Sequence, residues 1–181
     1  MWKTFSLVKI LMIKNNFKRN IIFISIFILI FTFDRLSKLY ILNLAETNDT
    51  LNLFVTPFLN FYLIWNKGIA FGLFSFDQNF TYNLITFLIV LITIIILIVA
   101  VRSKDYKGYF FISIFSGSVG NLYDRFYYSA VPDFIDFHIN DFHWFIFNVA
   151  DIFICVGVLC LIIAEFFFNK TSKKWKKLIY F

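Results

Sequence analysis

Acidic residues occur in three of the long apolar segments of this sequence, and each lies near one end of its segment. Asp34 is near the end of the first segment, Asp124 near the end of a later one, and Asp151 near the start of the last. An ionisable side chain at membrane depth costs at least about 2.5 kcal/mol, so such residues face the inside of a helix bundle and are candidate functional groups. An interfacial position explains any one of them, but it explains the group less well.

The segment around Asp124 has the spacing of a helix with one small and polar face. Positions 117, 120, 121 and 124 fall on that face. Gly117 and Gly120 leave room there for a neighbouring helix, while Asn121 and Asp124 supply polar groups.

The start of the last apolar segment has a similar face. Asn148 and Asp151 are three residues apart, and the small Ala150 lies beside them. The connection over 127–146 returns the chain on the same side of the membrane, so the third and fourth helices are antiparallel. We therefore expect Asp124 and Asp151 to lie at similar depth.

Two carboxyl groups close together in a partly dry site tend to share one proton, which is the chemistry of an aspartic protease. One carboxylate takes a proton from the attacking water, and the other donates a proton to the scissile carbonyl oxygen. This chemistry requires no metal and no cofactor, and the sequence predicts neither. Cys155 and Cys160 lie within the last apolar segment, and we expect them to pack as small apolar residues.

The elements that position these residues are predicted to be membrane-spanning helices. The chain is 60% hydrophobic, contains 28 Phe and has a mean hydropathy of +0.78, which is more apolar surface than a soluble domain of 181 residues can bury. About 20 apolar residues cross a bilayer as a helix. The predicted fold is therefore a single all-α integral membrane domain over 1–181, with helices near 21–43, 80–101, 109–126 and 147–168.

The first long connection, 44–79, is the exception to an all-helical prediction. Its segments 51–55 and 58–65 mix aromatic, β-branched and polar residues around Pro57, which favours a small antiparallel sheet. An open sheet edge cannot lie in hydrocarbon, so we expect this sheet at or above the membrane interface.

The distribution of positive charge predicts the orientation of the helices. Lys and Arg are concentrated in 1–20, in the short loop 102–108 and in the basic tail 169–181. By the positive-inside rule both termini and this loop are cytoplasmic, and the connections 44–79 and 127–146 lie outside. The net charge of +6 is thus explained by membrane lipids as partners, and no nucleic-acid partner is predicted.

Four short segments, in order along the chain, resemble the lipoprotein signal peptidase family, also called signal peptidase II, whose members are intramembrane aspartyl proteases. They are Asn-Lys-Gly-Ile-Ala-Phe at 66–71, Gly-Asn-Leu-Tyr-Asp-Arg at 120–125, Val-Pro-Asp-Phe at 131–134 and Phe-Asn-Val-Ala-Asp at 147–151. A weaker fifth segment lies at 34–38. The sequence departs from the family pattern at Arg35, Ala130 and Phe145.

The resemblance implies an endopeptidase of the bacterial cytoplasmic (inner) membrane, with its active site near the outer face. Its substrates would be prolipoproteins, cut before a diacylglyceryl-modified cysteine, and the peptide globomycin would inhibit it. The implied catalytic residues are Asp124 and Asp151. The implied substrate-binding residues are Asn66, Gly68, Ala70, Phe71, Asn121, Arg125, Asn148 and Ala150, and the supporting residues are Asp34, Lys38, Gly120 and Asp133.

Three further expectations concern the second outer connection. Arg125 is expected to pair with Asp133 or to hold a backbone carbonyl, Asp136 to be a solvated loop charge, and His138 and His143 to lie in a water-exposed loop without a catalytic role.

A small transporter and a non-enzymatic membrane assembly factor are the alternative functions. Transporter sites usually lie near the midplane between repeats with broken helices, and no such repeat is visible here. An assembly factor would not need two acids on adjoining helices.

Overall fold

The computed structural model describes residues 2–47, 52–68, 78–139 and 142–179. In this part of the chain there are four helices and two pairs of strands, one pair between α1 and α2 and the other between α3 and α4. The elements in chain order are α1 (Trp2–Thr47), β1 (Asn52–Thr56), β2 (Leu59–Asn66), α2 (Gln78–Arg102), α3 (Lys107–Tyr128), β3 (Val131–Ile139), β4 (Phe142–Phe147) and α4 (Val149–Ile179).

Each of the four predicted helices overlaps one of the observed helices. Three of them, over Phe17–Thr47, Asn79–Arg102 and Val149–Phe167, are long and apolar enough to cross a bilayer. The helix α1 extends well before the predicted start at 21, because no glycine or proline interrupts 2–47. The more polar helix α3 packs against α1, α2 and α4, so its polar residues are covered by its neighbours.

Many large apolar side chains of the helices are exposed on the outside of the bundle, as expected for helices that contact lipid. Leu29 is 65% exposed and Ile95 is 58% exposed, although both lie in the middle of long apolar helices. Polar and charged side chains such as Asp34, Asp124 and Asn148 are instead fully buried. This distribution is the reverse of a soluble bundle and agrees with a bilayer as the solvent.

The strands form one antiparallel sheet in the order β1-β2-β3-β4. The predicted pair β1 and β2 in the first connection is confirmed, but β3 and β4 in the second connection were not predicted. Pro132 and the acidic residues of β3 disfavour a strand locally. Pairing with β2 overrides this preference, and Trp65 lies opposite Pro132 while Ile64 lies opposite Asp133.

The sheet is attached to the helices by an apolar cluster. Ile41 of α1, Phe134 of β3 and Val149 of α4 are all buried and pack together. A second cluster, formed by Phe23, Ala100 and Ile112, joins α1, α2 and α3 well away from the sheet. The first cluster fixes β3 against the ends of α1 and α4, which is where the polar residues are concentrated.

Candidate active site

The small face of α3 brings three helices into close contact, as the sequence predicted. A Cβ atom on Gly117 would lie 2.5 Å from the Ala150 carbonyl oxygen, and a Cβ atom on Gly120 would lie 2.7 Å from Asp34 Oδ2. Any larger side chain at either position would therefore force the helices apart. Ala150 is fully buried in this contact. The close approach places the polar ends of α1, α3 and α4 within reach of one another.

Four charged residues form a buried ion cluster between α1 and α3, consisting of Asp34, Arg35, Lys38 and Asp124. The Lys38 ammonium lies 2.9 Å from Asp34 Oδ1 and 2.7 Å from Asp124 Oδ2. Arg35 donates to both carboxylates, at 2.6 Å to Asp34 and 2.8 Å to Asp124, with a second and shorter contact to Asp124. Two cations thus neutralise two buried carboxylates.

A polar cavity of about 250 Å³ lies beside this cluster. Its described lining comes from both helices and strands: Asn66, Ile89, Ser118, Asn121, Arg125, Val131, Asp133, Asn148, Asp151 and Ile154. Two carboxyl groups, those of Asp133 and Asp151, face this space. Asp124 is not among the described lining residues, because its carboxylate is held by Arg35 and Lys38.

Asp151 is positioned by the first turn of α4. The Asn148 side chain accepts a hydrogen bond from the Asp151 N–H at 3.1 Å, and the Asp151 carboxylate accepts one from the Asn148 N–H at 3.1 Å. This reciprocal arrangement is a capping box, in which each side chain satisfies a free backbone donor at the helix start. The Ala150 N–H is likewise satisfied, at 3.0 Å, by Asp34. The carboxylate of Asp151 therefore has little freedom to move.

Asp133 is positioned on β3 by two amide side chains. It accepts hydrogen bonds from Asn66 at 2.8 Å and from Asn148 at 2.6 Å. Asn66 reaches it because Ile64, two residues earlier on the same face of β2, lies opposite Asp133. Burial, with a smaller contribution from the nearby charge of Asp151, raises the pKa of Asp133 from 3.8 to about 6, although both amide donors oppose the rise.

Two asparagines connect these groups. Asn148 bonds both to Asp133 and to Asp151, so it bridges the two carboxyl groups of the cavity. Asn121 donates to Asp151 at 2.8 Å and accepts from Lys38 at 2.9 Å. Asn121 is thus the link between the cavity and the ion cluster, and Asp124 is separated from Asp151 by Lys38 and Asn121.

Arg125 lies along the cavity wall without an ion pair to Asp133, which was one of its two predicted arrangements. Its Nε and Nη1 atoms are buried and have no hydrogen-bond partner among the described residues. Its guanidinium lies over the Tyr82 ring at 5.6 Å and packs against Gly68, where an added Cβ would be 2.8 Å from Nη2. Gly68 also has a φ of 75°, a conformation that favours glycine. Within the described part of the chain, Arg125 therefore has N–H groups available for a ligand.

The structure brings most of the predicted site residues together, in two groups. Asn66, Asn121, Arg125, Asn148, Asp133 and Asp151 line the cavity, with Gly68 against Arg125. Asp34, Lys38 and Asp124 form the ion cluster, and Gly120 and Ala150 form the helix contact. Ala70 and Phe71 lie outside the described residues.

The sequence prediction missed the position of Arg35. Arg35 stood out only as a departure from the family pattern, yet it binds both acids of the ion cluster. Asp133, predicted to support the site, lines the cavity together with Asp151. Asp136 was expected to be solvated, and this was wrong: it is 3% exposed, because β3 is covered on that face.

Comparison with known proteins identifies the family. Residues 26–167 match the family described as signal peptidase (SPase) II. The lipoprotein signal peptidase of Pelagibacter ubique is 54% identical over 89% of this chain and 98% of its own length, and that of Aquifex aeolicus is 38% identical over 84% and 90%.

Solved structures show the same relationship. Two structures described as bacterial membrane enzymes are similar to this chain, with TM-scores of 0.63 and 0.61 and identities of 32% and 30%. They cover 84% and 78% of this chain, and 90% of each solved chain is covered. The chain belongs to the signal peptidase II family, and it is a membrane-integral aspartic endopeptidase that removes signal peptides.

Proposed function

We propose that this enzyme cleaves the signal peptide of bacterial prolipoproteins before a diacylglyceryl-modified cysteine, with Asp133 and Asp151 as the acid/base pair. The observation that carries this assignment is that both carboxyl groups line one cavity and are bridged by Asn148. The predicted pairing of Asp124 with Asp151 is the competing assignment. It has less support, because Asp124 is fully buried and bonded to Arg35 and Lys38.

The electrostatics of the two groups support the same choice. A catalytic acid must hold a proton and release it near the working pH. The amide partners of Asp133 are neutral, and its pKa of about 6 permits both protonation states. Asp124 lies between two cations, Arg35 and Lys38, and its negative charge helps to balance them in the buried ion cluster.

The reaction follows from these positions. Asp151 takes a proton from water as the water oxygen attacks the scissile carbonyl carbon, and protonated Asp133 donates its proton to the carbonyl oxygen. The tetrahedral intermediate then collapses: the C–N bond breaks, Asp151 gives its proton to the leaving nitrogen, and a hydroxyl of the intermediate returns a proton to Asp133. Both carboxyl groups regain their starting states, and no other reactant is consumed.

Other cavity residues are suited to hold the substrate. The Arg125 N–H groups that have no partner among the described residues bind a backbone carbonyl of the signal peptide. Ile89 of α2 and Ile154 of α4 give the cavity an apolar wall on two membrane-spanning helices, where the acyl chains of the modified cysteine lie against the bilayer.

The membrane arrangement belongs to the same proposal. All four helices cross the cytoplasmic (inner) membrane, both termini are cytoplasmic, and the sheet with the cavity lies at the outer face. The support is the charge distribution of the sequence together with the placement of the sheet against the ends of α1 and α4. Globomycin binds the polar cavity in competition with the substrate.

The experiment is cleavage of a synthetic prolipoprotein peptide by the purified enzyme in detergent micelles. Matched peptides with and without diacylglycerol on the cysteine, assayed with and without globomycin, test the substrate. We expect globomycin-sensitive cleavage of the lipidated peptide alone. Equal cleavage of the unmodified peptide would contradict the proposed substrate.

A further inference from the structure

A second polar cluster lies on the sheet, outside the polar cavity. It consists of Asp136 and His138 on β3 and His143 on β4, and the two histidines are the only ones in the chain. His138 and His143 are cross-strand partners, and their rings stack with centroids 5.1 Å apart. Neither the proposed reaction nor the helix packing uses these residues.

The three side chains converge on one point. Each offers a ligand atom, and these atoms all lie within 4.8 Å of one another. His143 Nδ1 lies 2.8 Å from Asp136 Oδ2, and His138 Nδ1 lies 3.8 Å from the same oxygen. Two ring nitrogens thus face one carboxylate oxygen from neighbouring strands.

One of these nitrogens makes no hydrogen bond to any described residue. His138 is 9% exposed, and its buried Nδ1 has no hydrogen bond among the described residues. A buried ring nitrogen without a partner is costly, so it points to a ligand at this position. The Asn60 Oδ1 atom, on β2 opposite Asp136, is also buried and has no hydrogen-bond partner within the ranges that the structure describes.

We propose that Asp136, His138 and His143 bind a divalent transition-metal ion, with Zn²⁺ as the ion that fits their chemistry. Two neutral imidazoles and one carboxylate are a ligand set that zinc prefers, whereas Ca²⁺ and Mg²⁺ require oxygen ligands. An adjoining cavity of about 310 Å³, lined by Asn60, Tyr62, Asp136 and His143 among others, leaves room for water to complete the coordination.

The metal has a positioning role in this proposal and takes no part in peptide cleavage. It joins β3 to β4, and β3 also carries Asp133. Binding by the folded hairpin and not by the unfolded chain raises thermal stability. Cleavage by metal-free enzyme therefore stays close to that of the metal-loaded enzyme at low temperature, which separates this proposal from the proposed function.

The test uses full-length enzyme without a polyhistidine tag, stripped with EDTA and titrated with Cu²⁺ as a spectroscopic probe. Electron paramagnetic resonance of the bound Cu²⁺ reports nitrogen ligands directly. We expect one bound ion with imidazole nitrogen couplings. We also expect Zn²⁺ to compete with Cu²⁺ for this site and to raise the unfolding temperature of the enzyme.

The matched variants are His143→Gln, at an exposed position, and the double variant Cys155→Ser/Cys160→Ser, which removes the only thiols. His143→Gln should lose at least about tenfold in metal affinity, because replacing even a residue that only hydrogen-bonds to a metal ligand typically lowers metal affinity by that factor. The thiol variant should bind as the wild type does. Two results would overturn the proposal. One is an unaltered metal affinity in a His143→Gln variant that still cleaves peptide, and the other is a Cu²⁺ spectrum of the wild type without nitrogen couplings.

Discussion

The ion cluster and the polar cavity both contain two buried aspartates, yet their partners differ in kind. Asp34 and Asp124 are held by the cations Arg35 and Lys38. Asp133 and Asp151 are held instead by the amide groups of Asn66, Asn121 and Asn148 and by a backbone N–H. A cation fixes a carboxylate in its charged form, whereas neutral donors leave it able to exchange a proton.

This difference suggests separate roles for the two regions: the ion cluster stabilises the helix contacts, and the cavity is the proposed site of the reaction. The ion cluster joins α1 to α3 and, through the bond from Ala150 to Asp34, to the start of α4. It thereby holds Asp151 in place. The cavity supplies the groups that we propose to react. Changes in the first region should therefore reduce stability, and changes in the second should reduce the rate.

The largest expected effect on rate comes from removing the proposed base. Asp151→Asn keeps the side-chain shape but cannot accept a proton, so single-turnover cleavage should fall roughly 100- to 10,000-fold. The amide can still accept the Asn148 N–H, and the unfolding temperature should change little. A variant that unfolds like the wild type and cleaves at a near-normal rate would contradict the role of Asp151.

The largest expected effect on stability comes from Lys38→Met. Lys38 is 1% exposed, and its loss leaves two buried carboxylates with Arg35 as their shared cation. Breaking a buried ion pair costs about 3 to 5 kcal/mol, so the thermal midpoint in micelles should drop clearly.

Lys107→Met is the matched control for this change. Lys107 pairs with Glu165 at 2.6 Å on the exposed surface, where solvent screens the interaction. The thermal midpoint of Lys107→Met should match that of the wild type. Equal losses in both variants would show that burial of the ion cluster does not contribute to stability.

Asn66→Ala should have an intermediate effect on rate. It removes the 2.8 Å bond to Asp133, and hydrogen bonds to charged groups are worth about 1.5 to 3 kcal/mol. That corresponds to about 10- to 100-fold in kcat/KM. The lost donor also raises the pKa of Asp133 further, a shift that general loosening of the site would not produce. Asn60→Ala on the same strand is the control, and it should leave the rate and its pH profile unaltered.

The smallest expected effect is the change of kcat/KM with pH in the wild-type enzyme. Asp133 is protonated below its pKa of about 6 and ionised above it, so the population of the proton-bearing enzyme falls as pH rises. We expect kcat/KM to decline above about pH 6, as the alkaline side of a bell whose two apparent values belong to the pair. A kcat/KM that keeps rising through alkaline pH would argue against a protonated Asp133.

The helices could be predicted from the sequence because a bilayer demands long apolar segments, and the glycines of α3 marked the close contact with α4. The pairing of carboxyl groups could not be predicted in the same way. Asp133 lies on a strand whose local residues disfavour a strand, and only its pairing with β2 brings it to Asp151. The contact of Arg35 with Asp124 could not be predicted either, since nothing in the local sequence shows that the Arg35 side chain faces α3.

The role of Asp133 is tested by comparing Asp124→Asn with Asp133→Asn in parallel, measuring both single-turnover cleavage of the diacylglyceryl peptide and the unfolding temperature. We expect Asp133→Asn to unfold like the wild type and to lose at least about 100-fold in rate. We expect Asp124→Asn to unfold at lower temperature and to lose less activity per folded molecule. A stable but inactive Asp124→Asn beside an active Asp133→Asn would show that Asp124, and not Asp133, is the partner of Asp151.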